Sequence, residues 1–263
     1  MDNTLKMYPS NKRLFKSAES EYEGWLSNSC IFGIAHQNNP LPSIDKIPIQ
    51  TTNFYMYFGE GNLDIIQYLI KNKINENLEQ LSIGFEHGNS SYGYKDYSKI
   101  SKLLSTTSFP RLKNFEFGID FLLVNGSQYY PHLGDLTHVL SKMPILESLS
   151  LHGSFELTKS VDLKNVSEFY VLDYWTEISN GIISTETFNF LLDSEFQNLN
   201  DFEISLTTDN NLTYTFNENL LLKNLEKLKC VDIDGKFEVG TRARLFQILN
   251  SKVEKLFLDD IQE

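Results

Sequence analysis

The chain has 263 residues, 41% of them hydrophobic and 22% charged, enough to bury a sizeable core and too apolar for a disordered tail or a collagen-like fibre. Its 23 basic and 35 acidic side chains leave a formal charge of -12 and a pI near 4.9, which argues against a general affinity for nucleic acid or anionic membrane and favours a basic partner. No apolar run is long enough to cross a bilayer, and Met1-Asp2-Asn3-Thr4-Leu5-Lys6 lacks the apolar core of a secretory signal, so a cytoplasmic protein is expected.

Taken in chain order, residues 1–48 begin with a segment that fits no repeat, in which Ser29–Ala35 reads as a strand and Asn38-Asn39-Pro40-Leu41-Pro42 as a turn-rich exit. From residue 51 onward one spacing recurs, with apolar residues at relative positions one, four and six. It is weak in Thr51/Phe54/Met56 and clear in Leu78/Leu81/Ile83, Leu112/Phe115/Phe117, Leu146/Leu149/Leu151, Val166/Phe169/Val171, Leu199/Phe202/Ile204, Leu225/Leu228/Cys230 and Val253/Leu256/Leu258. Successive first positions are 27, 34, 34, 20, 33, 26 and 28 residues apart. Phe109, Met143, Phe196 and Leu222 each stand three positions ahead of a first position, so the repeat is longer than its six-residue core.

Between these strands, apolar residues recur three and four apart, as on the buried stripe of a helix. The stripes are Leu63/Ile66/Leu69/Ile70, Tyr97/Ile100/Leu103/Leu104, Leu133/Leu136/Val139/Leu140/Met143, Phe188/Leu191/Leu192 and Leu245/Ile248/Leu249. Pro110 and Pro144 follow two of them, where proline cannot continue a helix. The 20-residue spacing from Leu146 to Val166 leaves room for little or no helix, and Gly153–Lys159 reads as a loop. Each repeat therefore reads helix, turn, short strand, loop.

A strand and helix repeated at this period resembles the leucine-rich repeat of the ribonuclease-inhibitor-like group, and more closely the small, irregular cytosolic leucine-rich-repeat proteins of bacteria. The resemblance implies an α/β solenoid, with a curved parallel sheet on the concave face and helices and loops on the convex face. It divides the chain into an N-terminal cap, residues 1–48, and a solenoid of about eight irregular repeats, residues 49–263. The asparagine or cysteine usual three positions after each strand is replaced by Glu86, Asp120, Ser154, Tyr174, Thr207 and Ile261, so the side-chain ladder of that bend is absent and the curvature is expected to be irregular.

Alternation along each strand points positions four and six inward and the intervening residues outward. The outward set is Tyr55 and Tyr57, Gln80 and Ser82, Asn114 and Glu116, Ser148, Ser150 and His152, Glu168 and Tyr170, Asp201 and Glu203, Lys227 and Lys229, then Lys255 and Phe257. With Asp120, Asp173, Tyr174 and Trp175 beside them, these residues read as an acidic, aromatic docking surface with a basic end. Carboxylates would steer a basic protein, and desolvated aromatics would supply interface energy. The residues expected to bind the partner are Tyr55, Tyr57, Glu116, His152, Glu168, Tyr170, Tyr174, Trp175, Asp201 and Glu203. Acidity and the ribonuclease-inhibitor resemblance together suggest a basic, nuclease-type toxin as partner and an immunity protein as the role. The tyrosine-rich loops at 88–94 and 125–131 compete with the concave face as the binding site.

Catalytic and cofactor signals are weak, and no enzyme activity, cofactor or metal is expected. Gly59-Glu60-Gly61 lacks the third glycine of a dinucleotide loop, and Gly235-Lys236-Phe237 lacks the flanking residues of a phosphate loop. His36, His87, His132, His138 and His152 show no metal-ligand spacing. Cys30 and Cys230 are two hundred positions apart, so neither a disulfide framework nor a zinc site is implied, and both are expected to be buried free thiols. Two rival readings remain: an enzyme with a loop-borne site near His87 or the Tyr170–Trp175 segment, and a scaffold self-associating through Phe257, Phe32 or an open solenoid end.

Overall fold

The structure is a computed structural model and describes residues 25–26, 29–32, 47, 49–56, 62–85, 96–120, 131–173, 182–206 and 212–258, the first two strands through their backbone pairing alone. It is an α/β fold built on one long, mostly parallel sheet. The strands are β1 (Trp25–Leu26), β2 (Ser29–Phe32), β3 (Asn53–Met56), β4 (Gln80–Phe85), β5 (Asn114–Asp120), β6 (His132–Asp135), β7 (Ser148–His152), β8 (Ser154–Glu156), β9 (Glu168–Asp173), β10 (Asp201–Leu206), β11 (Cys230–Asp234) and β12 (Lys255–Phe257). Ten of them form one sheet in the order β1-β2-β3-β4-β5-β7-β9-β10-β11-β12, while β6 and β8 pair separately. Within the large sheet the strands are parallel apart from the β1–β2 hairpin at one edge.

The recurring spacing becomes a register. Phe54, Leu81, Phe115, Leu149, Phe169, Phe202 and Val231 stand side by side across the sheet, and Met56, Ile83, Phe117, Leu151 and Val171 form the neighbouring row. All of these are buried. The Phe169 and Phe202 rings stack with centroids 5.7 Å apart, and Phe115 and Phe117 lie 5.6 Å apart, so the apolar face is continuous from repeat to repeat. A second device repeats beside it. The carbonyls of Thr52, Glu79, Lys113, Glu147, Ser167, Asn200 and Lys229 each accept two consecutive backbone N–H groups from the following strand's entry, ending with Glu254 and Lys255. That clamp fixes each new strand against its predecessor without a side chain.

The helices are α1 (Asn62–Lys71), α2 (Ser98–Leu104), α3 (Thr137–Leu140), α4 (Thr185–Leu192), α5 (Asn219–Asn224) and α6 (Thr241–Leu249). They lay Ile66 and Leu69, Ile100 and Leu104, Val139 and Leu140, Phe188 and Leu191, Leu220 and Leu221, and Leu245 and Leu249 onto the core. Ser184 caps α4 by accepting the Thr187 N–H at 3.0 Å. Among the described residues, no helix is long and apolar enough to cross a membrane.

Four expectations need correction. The stripe at 133–143 is not one helix: His132–Asp135 is a strand, and only Thr137–Leu140 is helical. Gly134, at a φ of 78°, breaks helical continuity there, and Leu133 is buried from a strand position instead. Gly153–Lys159 is not all loop, because Ser154–Glu156 pairs with β6. The seventh repeat is displaced by three residues, as Phe202 pairs with Val231 rather than Leu228. Its first position is Leu228, which makes the neighbouring spacings 29 and 25 residues instead of 26 and 28. Leu222 is accordingly 48% exposed, and Leu225 takes the packing position ahead of the repeat. Finally, Cys230 is a free but half-exposed thiol on the outward face. Within the N-terminal segment, β2 pairs in parallel with β3 and so continues the sheet.

Candidate functional site

The face turned away from the apolar core carries one row in register: Tyr55, Ser82, Glu116, Ser150, Tyr170, Glu203, Asp232 and Phe257. Parallel pairing sets these side chains one strand apart, about 4.8 Å, so residues distant in sequence become neighbours. Of the expected binding residues, Tyr55, Glu116, His152, Glu168, Tyr170, Asp201 and Glu203 all lie on this face. Tyr57, Tyr174 and Trp175 lie outside the described residues, as do His87 and the loops at 88–94 and 125–130.

The row divides into two chemistries. On its first strands, the Tyr55 hydroxyl donates to Gln80 Oε1 at 2.9 Å, and Ser82 is fully buried. Glu116 and His152 are buried as well, at 8% and 5% exposure, although the sequence places them on an outward, solvated surface. His152 Nε2 stands 3.8 Å from Glu116 Oε1, and its ring lies 5.2 Å from that of half-exposed Tyr170. That separation is within ion-pair range, yet burial works against charge on both partners. It raises the Glu116 carboxyl to about 7, against a smaller downward pull from the Ser82 hydroxyl, and lowers the His152 imidazole to about 4. Between those values the two groups hold one proton between them and no net charge. Gly118 underlies the pair: at a φ of 88°, a Cβ there would fall 2.0 Å from the His152 carbonyl oxygen.

On the later strands the row is acidic. Asp201 and Glu203 on β10 stand beside Asp232 and Asp234 on β11, with exposed Glu168 on β9 next to Asp201. Burial first, then Asp232 and Asp201, raises the Glu203 carboxyl, with Lys255 pulling the other way. The same three carboxylates add to burial in raising the Cys230 thiol, so this cysteine is not an activated nucleophile. Asp234 Oδ2 accepts from Ser205 at 3.0 Å. Asp232 and Asp234 were missed by reading the sequence because of the three-residue slip in the seventh repeat. The same correction removes the basic end. Lys227 Nζ donates to the Gln197 carbonyl at 2.6 Å and Asn198 Oδ1 at 2.9 Å in the turn before the strands, and Lys229 is the clamp position. Lys255 is the basic residue left on the outward set among the described residues.

Two other places on the molecule bring polar groups together. His132 Nδ1 lies 3.1 Å from Ser154 Oγ and its Nε2 lies 3.9 Å from Glu156, the residue types of a nucleophile, base and orienting carboxylate. Ser154 is only 2% exposed and the Glu156 contact is too long for a hydrogen bond, so this cluster ties β6 to β8. A cavity of about 270 Å³ lies between α3 and the turn at 159–165, floored by Leu140, Met143 and Leu163. Its Lys164 is already paired with Asp162 at 3.2 Å. Among the described residues no three metal-ligating side chains converge.

No protein-family model matches this chain, and no curated protein does. A crystal structure of a Bacteroides fragilis protein, from a structural genomics programme, is similar at 15% identity over 85% of this chain and 80% of that one, with a TM-score of 0.45. Overlap at that level carries no argument about activity.

Proposed function

We propose that the chain is a leucine-rich-repeat solenoid and a non-enzymatic protein-binding module that docks a basic partner on the outward strand face, which the repeat architecture would make concave. Parallel strands paired largely in chain order, positions four and six in register, and the repeated carbonyl clamp support the architecture. The observation that carries the function is the acidic end of that face, where Glu168, Asp201, Glu203, Asp232 and Asp234 gather with Lys255 alone among the described basic residues. Such a field speeds encounter with a cationic surface and rejects nucleic acid and anionic lipid. Half-exposed Tyr170, in register with Glu203, gives that surface an aromatic contact.

In its specific form, the proposal is that the chain is an immunity protein that sequesters a basic toxin of the nuclease type in the cytoplasm. The test is an affinity capture from native lysate at low and high salt, repeated with Tyr170→Ala/Glu203→Lys. A basic protein retained by the native chain, and lost in the variant and at high salt, is the expected result. Equal retention by the variant would remove the strand face as the docking site.

A further inference from the structure

The buried Glu116 and His152 sit at the centre of the face, yet docking by surface carboxylates does not use them. Burying two ionisable groups is costly, and apolar residues of similar size would stabilise the strands better. Among the described residues, their surroundings hold little other charge. From β4 the facing residues are Gln80 and Ser82, and from β7 Ser148 and Ser150. From β9 they are Tyr170 and, one row away, Glu168. Beyond Gly153, the small β6–β8 sheet presents His132 and Glu156, which face each other. Among the described residues Glu116 and His152 therefore face each other as ionisable groups, and Tyr170 is the link from them to the acidic row, touching His152 on one side and pairing with Glu203 on the other.

We propose that the Glu116–His152 pair is a proton-linked anchor of the docking face: seating a cationic side chain of the partner on Tyr170 releases to solvent the proton the two groups share. This rests on the docking reading above. A lysine or arginine over the Tyr170 ring is held by the ring face and by Glu203, and lies beside the imidazole. From there its charge favours the ionised Glu116 carboxylate, and a neutral His152 is left to accept a hydrogen bond. Docking and deprotonation then help one another, because linkage is reciprocal. The partner would bind more tightly as pH rises through the value near 7 at which burial holds Glu116. A cation resting only on Glu168 or the β10 carboxylates would lie two or three strands from Glu116, roughly 10 to 14 Å, and would act on it far more weakly than one seated on Tyr170.

The test uses the intact chain and a short poly-lysine peptide as the cationic probe, with binding followed by calorimetry in two buffers of different ionisation enthalpy. On the acid side of neutrality, about one proton should leave per peptide bound, and the association constant should rise by up to about tenfold per pH unit before levelling above about pH 7. Glu116→Gln should bind at every pH with the weak affinity the native chain shows in acid, and release no proton. The free protein supplies a readout independent of any variant: the Glu116 carboxyl carbon, followed by NMR, should titrate near neutrality. If the peptide binds with no proton release, or the Glu116 carboxyl titrates in the ordinary carboxylate range, the proton linkage is wrong and docking stands. If the peptide fails to bind at low salt at any pH, the docking reading itself falls, and the linkage with it.

Discussion

The two halves of the outward strand face occupy equivalent positions of the same repeat and behave oppositely. Glu116 and Glu203 stand in one register row, each at the fifth position of its repeat. Glu203 is half-exposed among other carboxylates, where water reaches the acidic half. Glu116 is sealed beside His152, and there the pair keeps a proton instead. Sequence position sets which way a side chain points. Burial decides whether a carboxylate pointing that way is a charge or a proton store.

The largest break in that comparison is at Gly118. Gly118→Ala would require a side chain at a φ of 88° and place its Cβ 2.0 Å from the His152 carbonyl oxygen, so we expect a loss of about 3 kcal/mol or more in urea unfolding. Gly240→Ala is the matched control. It has a φ of 86° with nothing within 4 Å, and should cost only about 1 kcal/mol of backbone strain.

The pair itself gives the next effect. In the folded chain it holds one proton from about 4 to about 7, and in the unfolded chain, at ordinary values of 4.5 and 6.5, it holds one over nearly the same range. The native protein should therefore gain or lose little stability from the pair across that window. His152→Gln removes the compensation. Glu116, raised on folding, then contributes in full below 4.5, and its contribution is lost as pH climbs to about 7, an expected decline of about 3 kcal/mol. Glu116→Gln should show the mirror image. His152, depressed on folding, contributes in full above 6.5, and that is lost as pH falls to about 4. Denaturant melts at several pH values check both, and flat profiles in the two variants would show that burial shifts neither group.

Much of this was legible in the sequence, because position four of the first six repeats became a buried strand residue, and Leu256 in the last packs partly buried against the same core. The errors have physical causes. Leu225/Leu228/Cys230 and Leu228/Val231/Ile233 satisfy the same spacing, so a shift of three residues leaves the pattern intact. What separates them is chemistry: Val231 and Ile233 are β-branched residues suited to a strand, whereas Leu220 and Leu221 ahead of them belong to helix α5, which the sequence reading missed. The burial of Glu116 and His152 was not legible at all. Alternation assigns a side of the sheet, and exposure depends on what the rest of the chain lays over that side.

A smaller effect separates the acidic half from its neighbour. Asp232→Asn should lower the raised Glu203 carboxyl toward its usual range, since Asp232 follows burial among the causes of that shift. These groups are partly solvated, so the relief of repulsion should stabilise the fold by no more than about 0.5 kcal/mol, and by less in concentrated salt. The same change should weaken poly-lysine binding without altering the number of protons released, because Asp232 touches the acidic field and not the buried pair.

A last effect, on binding alone, tests the frame of the seventh repeat. If Lys227 and Lys229 stood on the outward face, reversing either charge would extend the acidic field and strengthen binding of a cationic peptide. The observed register puts Lys227 in the turn, bonded to Gln197 and Asn198, and leaves the outward strand position to Lys255. Lys255→Glu should therefore tighten poly-lysine binding a few-fold at low salt, which corresponds to about 0.5 to 1 kcal/mol. Lys229→Glu, at the clamp position whose backbone carbonyl does the structural work, should change it by less than about twofold. Equal gains from the two reversals would mean that net charge, and not a faced array of strand residues, governs what this surface attracts.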